Sequence, residues 1–541
     1  MHRFNPFRWL RPQTGYRLAY AAAAGFFIWT AAQFYIPGQG FTSLIFFGGN
    51  PALYRIRELQ PIDYYVYKDT GGYDGQYYAQ LAVKPLLKSR DLKAAMDNLP
   101  YRARRILFCW TAYVLGLGKP WLVLQVYSLQ NIICWLLLAW LLLRWFPPTS
   151  LGNTVRWAGT LFAWGMTMSV REALMDGPSL LLIAAGVALA EQGRRWWSAG
   201  VLGLAGLGRE TNLLAVVVQT PGRDWSWREC LAAVGRGLLV VAPLALWVAY
   251  IWRVCGEPSN TGVGNFGAPF TGYFTKWADT VAEYRANGWD SSAKWTMLLL
   301  VSMAMQFLMI LLRPQWTNPW WRVGAPFAVL MLFLGEAVWA GFPGAASRVV
   351  LPMTLAFNIL VPRGRGWWPV LLLGNLAAFS AAGQLAPPGR ESFRLEGPPI
   401  VWKAPVNRSV EVIFDDEWYQ GEKSSFEYWR WSRGSAGLVI RNPHAVPLEI
   451  EMDFDLRAYA ARAVRVFQGR TLRWEGRVGR ESALVRLPQI RLEPGDNPWR
   501  FETDGPPSMP AGDVLRPVTF NLRNLVIRAV RKLDGAAPLN H

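Results

Sequence analysis

Up to about residue 388 the chain is a succession of apolar runs separated by short polar turns, and beyond that point no such run occurs. A run of 18 or more apolar residues is long enough to cross about 30 Å of hydrocarbon, where backbone polar groups must pair inside helices. Residues 1–388 therefore read as an all-α membrane bundle, and residues 389–541 as a separate domain. The basic residues fall in the turns, with Arg194 and Arg195, Arg313 and Arg322, and Arg363 and Arg365 each flanking an apolar run. Cytoplasmic loops of membrane proteins carry this excess. The formal net charge of +19 thus reports topology and argues against a nucleic-acid partner.

Threading follows from the same rule. The basic start leads into an apolar run at 18–36 without a small-residue cleavage site, which reads as a retained first helix with a cytoplasmic N-terminus. Residues 38–120 then form a first extracytoplasmic loop. Inside it, the apolar stretch 106–117 covers only about 18 Å as a helix and reads as a juxtamembrane helix at the interface. Later spans are expected at 121–145, 157–168, 178–190, 232–252, 295–312, 323–340, 349–361 and 367–386. Residues 197–220 carry Arg209 and Glu210 in the middle of an apolar run. A hairpin of two short helices with that pair at its outer tip keeps every later basic turn inside, giving about eleven crossings.

Beyond residue 388 the pattern changes to alternation, as in LEIEMDFDLRA (residues 448–458) and VTFNLRNLVIRAV (residues 518–530), broken by Gly, Pro and Asn. That is the period of half-buried strands in an antiparallel sandwich. Cys109, Cys134, Cys230 and Cys255 show no CxxC spacing, and the three histidines, His2, His444 and His541, lie outside the membrane region. No disulfide framework or metal site is expected, and no cofactor.

The expected topology gathers ionisable side chains on the outer face: Asp63, Asp69, Asp74, Arg102, Arg104, Arg105, Asp176, Arg209, Glu210 and Arg348. Charges held near a membrane core are functional candidates. Sugar transfer from a phosphate-linked donor needs a base for the acceptor hydroxyl and positive charge for the departing phosphate. Asp74, flanked by Gly72 and Gly75, is the candidate base. Arg102, Arg209 and Arg348 are candidate phosphate contacts, and Arg105, Asp176 and Glu210 are candidate substrate-binding residues beside them. Gln76, Tyr77 and Tyr78 are placed to meet a sugar. Each has a plainer reading: a turn at Asp74-Gly75, a helix cap at Asp176, an Arg209–Glu210 pair closing the hairpin, and an interfacial anchor at Arg102–Arg105.

On GYDGQYY (residues 72–78), YRARRI (residues 101–106), the charged GRET tip and SRVVLPMTLAFN (residues 347–358), the chain resembles the GT-C superfamily of polytopic glycosyltransferases. The resemblance implies inverting, metal-independent transfer from a polyprenyl-phosphate sugar to an envelope glycan, lipid or protein outside the bacterial inner membrane, with envelope-biosynthesis proteins as possible partners. It maps the family's first-loop carboxylate onto Asp74. Many members carry paired acidic residues there, whereas this chain has Asp74-Gly75. The tail resembles carbohydrate-binding sandwiches, and its aromatic run at 417–431 suits stacking on sugars. Two other readings stand beside this one. The first is a non-catalytic, membrane-anchored glycan-binding or export component. The second is a transporter or flippase, disfavoured because Glu336 is the main mid-span acid and no halves repeat.

Overall fold

The computed structural model describes residues 12–48, 55–59, 61–67, 70–221, 225–256, 263–288, 292–340, 345–388, 410–419, 422–423, 428–509 and 517–533. Asp69, His2, His541 and parts of the 417–431 aromatic run lie outside them. The chain forms two compact units. The first comprises Met1–Ile45, Tyr77–Lys88 and Asn98–Arg390, and the second Phe46–Gln76, Ser89–Asp97 and Glu391–His541. The sequence reading keeps residues 46–76 and 89–97 with the helices, whereas here they group with the second unit.

The first unit is helical. Among the described residues three helices are long and apolar enough to cross a membrane: Pro120–Arg144, Trp227–Cys255 and Ala293–Leu312. The expected count of eleven crossings is not confirmed. The first expected span is covered by the 21-residue helix Pro12–Ala32, but several others are short or broken, including Leu151–Leu161 followed by Trp164–Arg171, then Asp176–Glu191, Arg195–Gly208, Pro319–Phe333 and Leu351–Leu360. At about 1.5 Å per residue such helices fall short of a bilayer's hydrocarbon thickness. The stretch expected at the interface is the helix Leu107–Leu115, ending at Gly116.

Polar side chains tie these helices together. Ser302 Oγ and Gln306 Nε2 donate to the Gly374 carbonyl at 2.6 and 2.7 Å. Thr354 Oγ1 donates to Gln306 Oε1 at 2.9 Å, and the Asn358 and Asn375 amides exchange hydrogen bonds at 2.9 and 3.1 Å. All five side chains are buried. In an apolar setting such bonds hold helices that have no hydrophobic drive to associate.

In the second unit, β1 (Phe47–Gly48) and β2 (Val66–Tyr67) make a short parallel pair. The remaining strands are β3 (Glu411–Phe414), β4 (Glu422–Lys423), β5 (Tyr428–Trp431), β6 (Ala436–Asn442), β7 (Leu448–Ala458), β8 (Arg462–Gln468), β9 (Thr471–Val478), β10 (Ala483–Leu492), β11 (Gly495–Thr503) and β12 (Phe520–Lys532). They form two antiparallel sheets, ordered β10-β7-β12-β5-β4 and β3-β6-β11-β8-β9. The central strand β7 alternates buried and half-buried residues along its whole length, as a sheet packed on one face requires. Ile450, Met452, Phe454 and Leu456 from one sheet meet Ile440, Val464, Val466 and Phe501 from the other in a single core, so the expected sandwich is present.

Phe501 lies at the middle of that core, with ring centroids 5.7 Å from Trp418 and 5.8 Å from Phe454. Phe501→Ala is expected to destabilise the second unit by about 3–5 kcal/mol through lost burial and a residual cavity. Pulse proteolysis of the full chain across a denaturant series reads this, and an unchanged midpoint would contradict the packing described.

Candidate functional site

The site in the first unit is built around a helix break. Helix Arg195–Gly208 stops at Arg209, whose backbone is extended (φ −159°, ψ 130°), and the chain resumes as the 3-10 helix Glu210–Gln219. Asn212 Nδ2 donates to the Ala205 carbonyl at 3.0 Å, satisfying one of the acceptors that the helix end exposes. Gly208 permits a close approach here. A Cβ on it would stand 2.5 Å from Ser179 Oγ and 2.9 Å from the Phe108 ring. Because Arg209 is extended, its side chain and that of Glu210 leave the backbone on opposite sides. The expected Arg209–Glu210 pair is therefore replaced by two separate ones.

Glu210 is held by Arg105. Nε and Nη2 of Arg105 donate to the two carboxylate oxygens at 2.9 and 3.0 Å, the forked geometry that makes arginine–carboxylate pairs strong. Arg105 also donates to the hydroxyls of Tyr78 at 2.9 Å and Tyr101 at 3.1 Å. Tyr101 in turn accepts from Asn265 Nδ2 at 3.2 Å. Arg209 instead pairs with Asp176, whose other oxygen accepts from Arg348 Nη1 at 3.1 Å. Asp176 is the first residue of helix Asp176–Glu191, whose N-cap position is held by Met175. Its carboxylate, 2% exposed, bridges two arginines that are 10% and 4% exposed.

Arg105 is thus paired with Glu210, and Arg209 and Arg348 share Asp176. Arg209 Nε and Ser179 Oγ are buried without a hydrogen-bond partner among the described residues, as is Thr211 Oγ1. Glu210 sits at the helix break, outside the three long helices. Burial pushes its carboxyl up, but the charge and hydrogen bond of Arg105, with Arg209 behind, outweigh this and bring it from 4.5 to about 2. A carboxyl that weakly basic is a charge holder at neutral pH and a poor proton acceptor.

An apolar groove starts at this cluster. Side chains three residues apart eclipse in a 3-10 helix, so Thr211, Leu214 and Val217 form one straight row and Leu213 and Val216 a second. With Val241, Phe266 and Leu330 they line a cavity of about 480 Å³ with Glu210 at its wall. A second cavity of about 350 Å³ shares Val216 and Val217 and runs on to Thr220 and Trp225. The i, i+3 apolar period inside NLLAVVVQ was the sequence signal for this groove.

Tyr77 and Tyr78 are buried and pack against arginine rather than standing open. The Arg102 guanidinium, itself buried, lies 5.0 Å from the Tyr77 ring centroid and 5.7 Å from those of Tyr78 and Tyr101. Arg104 lies 5.8 Å from the Tyr101 ring.

Asp74 belongs to the second unit, half-buried and immediately before helix Gly75–Val83. Its loop is pinned by Gln76, whose Nε2 donates to the Gly71 carbonyl at 2.8 Å. Its Oε1 accepts from Gly48 N at 3.2 Å and from Arg55 Nη2 at 3.1 Å. Gln76 is fully buried and so serves the loop's shape. Gly72 has φ +71°, and a Cβ there would stand 2.5 Å from Gly48 N, which explains a glycine before the aspartate. Asp63 is exposed in the same unit. Among the described residues no cluster of His, Cys, Asp and Glu could hold a metal ion.

No protein-family model matches the chain, and no curated protein does. Among solved structures, the arabinosyltransferase EmbB from Mycobacterium smegmatis is found at a TM-score of 0.29 and 11% identity. The match covers 98% of this chain and 66% of that one. Likeness of that degree carries no argument here, and this chain spans under two thirds of the EmbB chain's length.

Removing the charge of Asp176 leaves two buried guanidiniums facing each other, so Asp176→Asn is expected to cost about 3–5 kcal/mol. Glu210→Gln should cost less, because Glu210 keeps 27% of its side chain exposed. Thermal unfolding of the detergent-solubilised chain ranks the two. Glu210 is more acidic folded than unfolded, so its stabilisation is complete above pH 4.5 and fades as pH falls toward about 2. Glu210→Gln should remove that part of the acid limb and leave neutral pH dependence unchanged.

Proposed function

We propose that the chain is a membrane glycosyltransferase that takes a sugar from a polyprenyl-phosphate donor and passes it to an envelope glycan, lipid or protein on the extracytoplasmic side. One observation carries this reading. Glu210 belongs both to the arginine-rich cluster and to the wall of the apolar groove. A cluster of buried guanidiniums suits a phosphate, and a straight apolar groove beginning there suits a hydrocarbon chain. An amphipathic lipid phosphate has both parts in that order.

In this reading Asp74 is the base. It takes the proton of the acceptor hydroxyl as that oxygen bonds to the anomeric carbon. The bond from that carbon to the phosphate oxygen breaks, and the lipid phosphate leaves with the electron pair. A direct displacement of this kind inverts the anomeric centre and needs no metal. The sandwich is assigned to acceptor glycan binding. The multi-pass chain lies in the bacterial inner membrane, with its N-terminus cytoplasmic and the second unit's sheets outside.

Asp74→Asn is expected to abolish transfer from a lipid-linked donor while leaving expression and membrane insertion intact. Full turnover by that variant would remove Asp74 from catalysis. Leu214→Trp, which fills the groove, is expected to raise KM for a long-chain donor at least several-fold while leaving kcat/KM for a short-chain analogue unchanged. Equal effects on both donors would remove the groove from the reading.

A further inference from the structure

A second cavity in the helical unit, of about 220 Å³, is lined by Ser150, Asn153, Arg156, Arg363, Trp367 and Trp368. Arg156 is buried, with 3% exposure. Its Nη1 and Nη2 donate to the carbonyls of Asn358 at 2.7 Å and Pro362 at 3.0 Å. Arg363 is exposed and donates to the Trp145 carbonyl at 3.2 Å. Both guanidiniums thus spend their hydrogen bonds on neutral carbonyls. No carboxylate lines the cavity, and neither arginine forms a salt bridge among the described residues. Two like charges at one small cavity repel unless an anion lies between them.

The surroundings favour a lipid as the bearer of that anion. Trp367 and Trp368 are half-buried at the cavity, and the Arg313 guanidinium lies 4.6 Å from the Trp367 ring centroid. Indoles and arginines together mark the headgroup level of a bilayer, and basic pockets between membrane helices suit anionic headgroups. Leu151 and Leu371 supply an apolar wall beside the arginines. We propose that this cavity binds the phosphate of an anionic phospholipid from the leaflet on the basic, cytoplasmic side. The proposal concerns a different cavity from the transfer site and does not depend on the transferase reading.

The test uses the full chain in phosphatidylcholine vesicles with and without phosphatidylglycerol. It reads the thermal unfolding midpoint and, by native mass spectrometry, the lipid retained. Phosphatidylglycerol is expected to raise the midpoint by a few degrees, on the order of what saturating a site well above its Kd supplies. Arg363→Gln removes one charge. Gly152→Leu fills the cavity without touching charge, since a Cβ there meets only the Trp368 ring at 3.9 Å. Each variant should at least halve both the shift and the retained phosphatidylglycerol, with the midpoint in pure phosphatidylcholine unchanged. Arg194→Gln, in another basic turn, should keep the full effect. The proposal is overturned if both cavity variants keep the shift, or if Arg194→Gln loses as much. It is equally overturned if inorganic phosphate in phosphatidylcholine vesicles reproduces the whole shift, which would make the ligand a soluble anion.

Discussion

The helical unit is organised around the burial of Asp176 between Arg209 and Arg348. A carboxylate with 2% exposure survives away from water only when its lost hydration is replaced, and two guanidiniums do that. The same pairing holds three distant elements: the start of helix Asp176–Glu191, the break after helix Arg195–Gly208, and helix Ala346–Val349. Such a bridge contributes little net stability relative to an apolar filling. What it fixes is position. The break at Arg209 is where the chain changes from α to 3-10 geometry, and that change sets up the eclipsed rows of the groove.

The sandwich was legible in the sequence because its signal is local. Strand alternation depends on residues two apart, and β7 follows the pattern of LEIEMDFDLRA residue for residue. The hairpin tip was legible for a similar reason, since GRET interrupts an apolar run. The pairing at the tip was not. Arg209 and Glu210 are adjacent, so the simplest reading joins them, yet an extended Arg209 sends the two side chains apart. Their partners, Asp176 and Arg105, are set by packing of elements far apart in the chain. The count of eleven crossings is not confirmed, since hydropathy registers apolar length and passes over short breaks, such as the one between Leu151–Leu161 and Trp164–Arg171.

Tyrosine and glutamine near Asp74 show how a chemical motif can be structural in part. Gln76, Tyr77 and Tyr78 follow the aspartate directly, and their polarity suggested contact with a sugar. Gln76 instead closes the loop through Gly48, Gly71 and Arg55. Tyr78 instead gives its hydroxyl oxygen to Arg105. Residues that orient a loop or an arginine are chosen for fixed geometry, and in sequence they look the same as residues that touch a ligand.

The charge balance of the cluster bears on what can occupy it. Arg105 is matched by Glu210 through two hydrogen bonds, and Asp176 is shared between Arg209 and Arg348. Among the described residues Arg209 Nε is a buried donor without a hydrogen-bond partner. An anion arriving beside Arg209 would give that donor a partner. The carboxylates limit the gain. Asp176, already paired with Arg209 and Arg348, competes with such an anion for their donors.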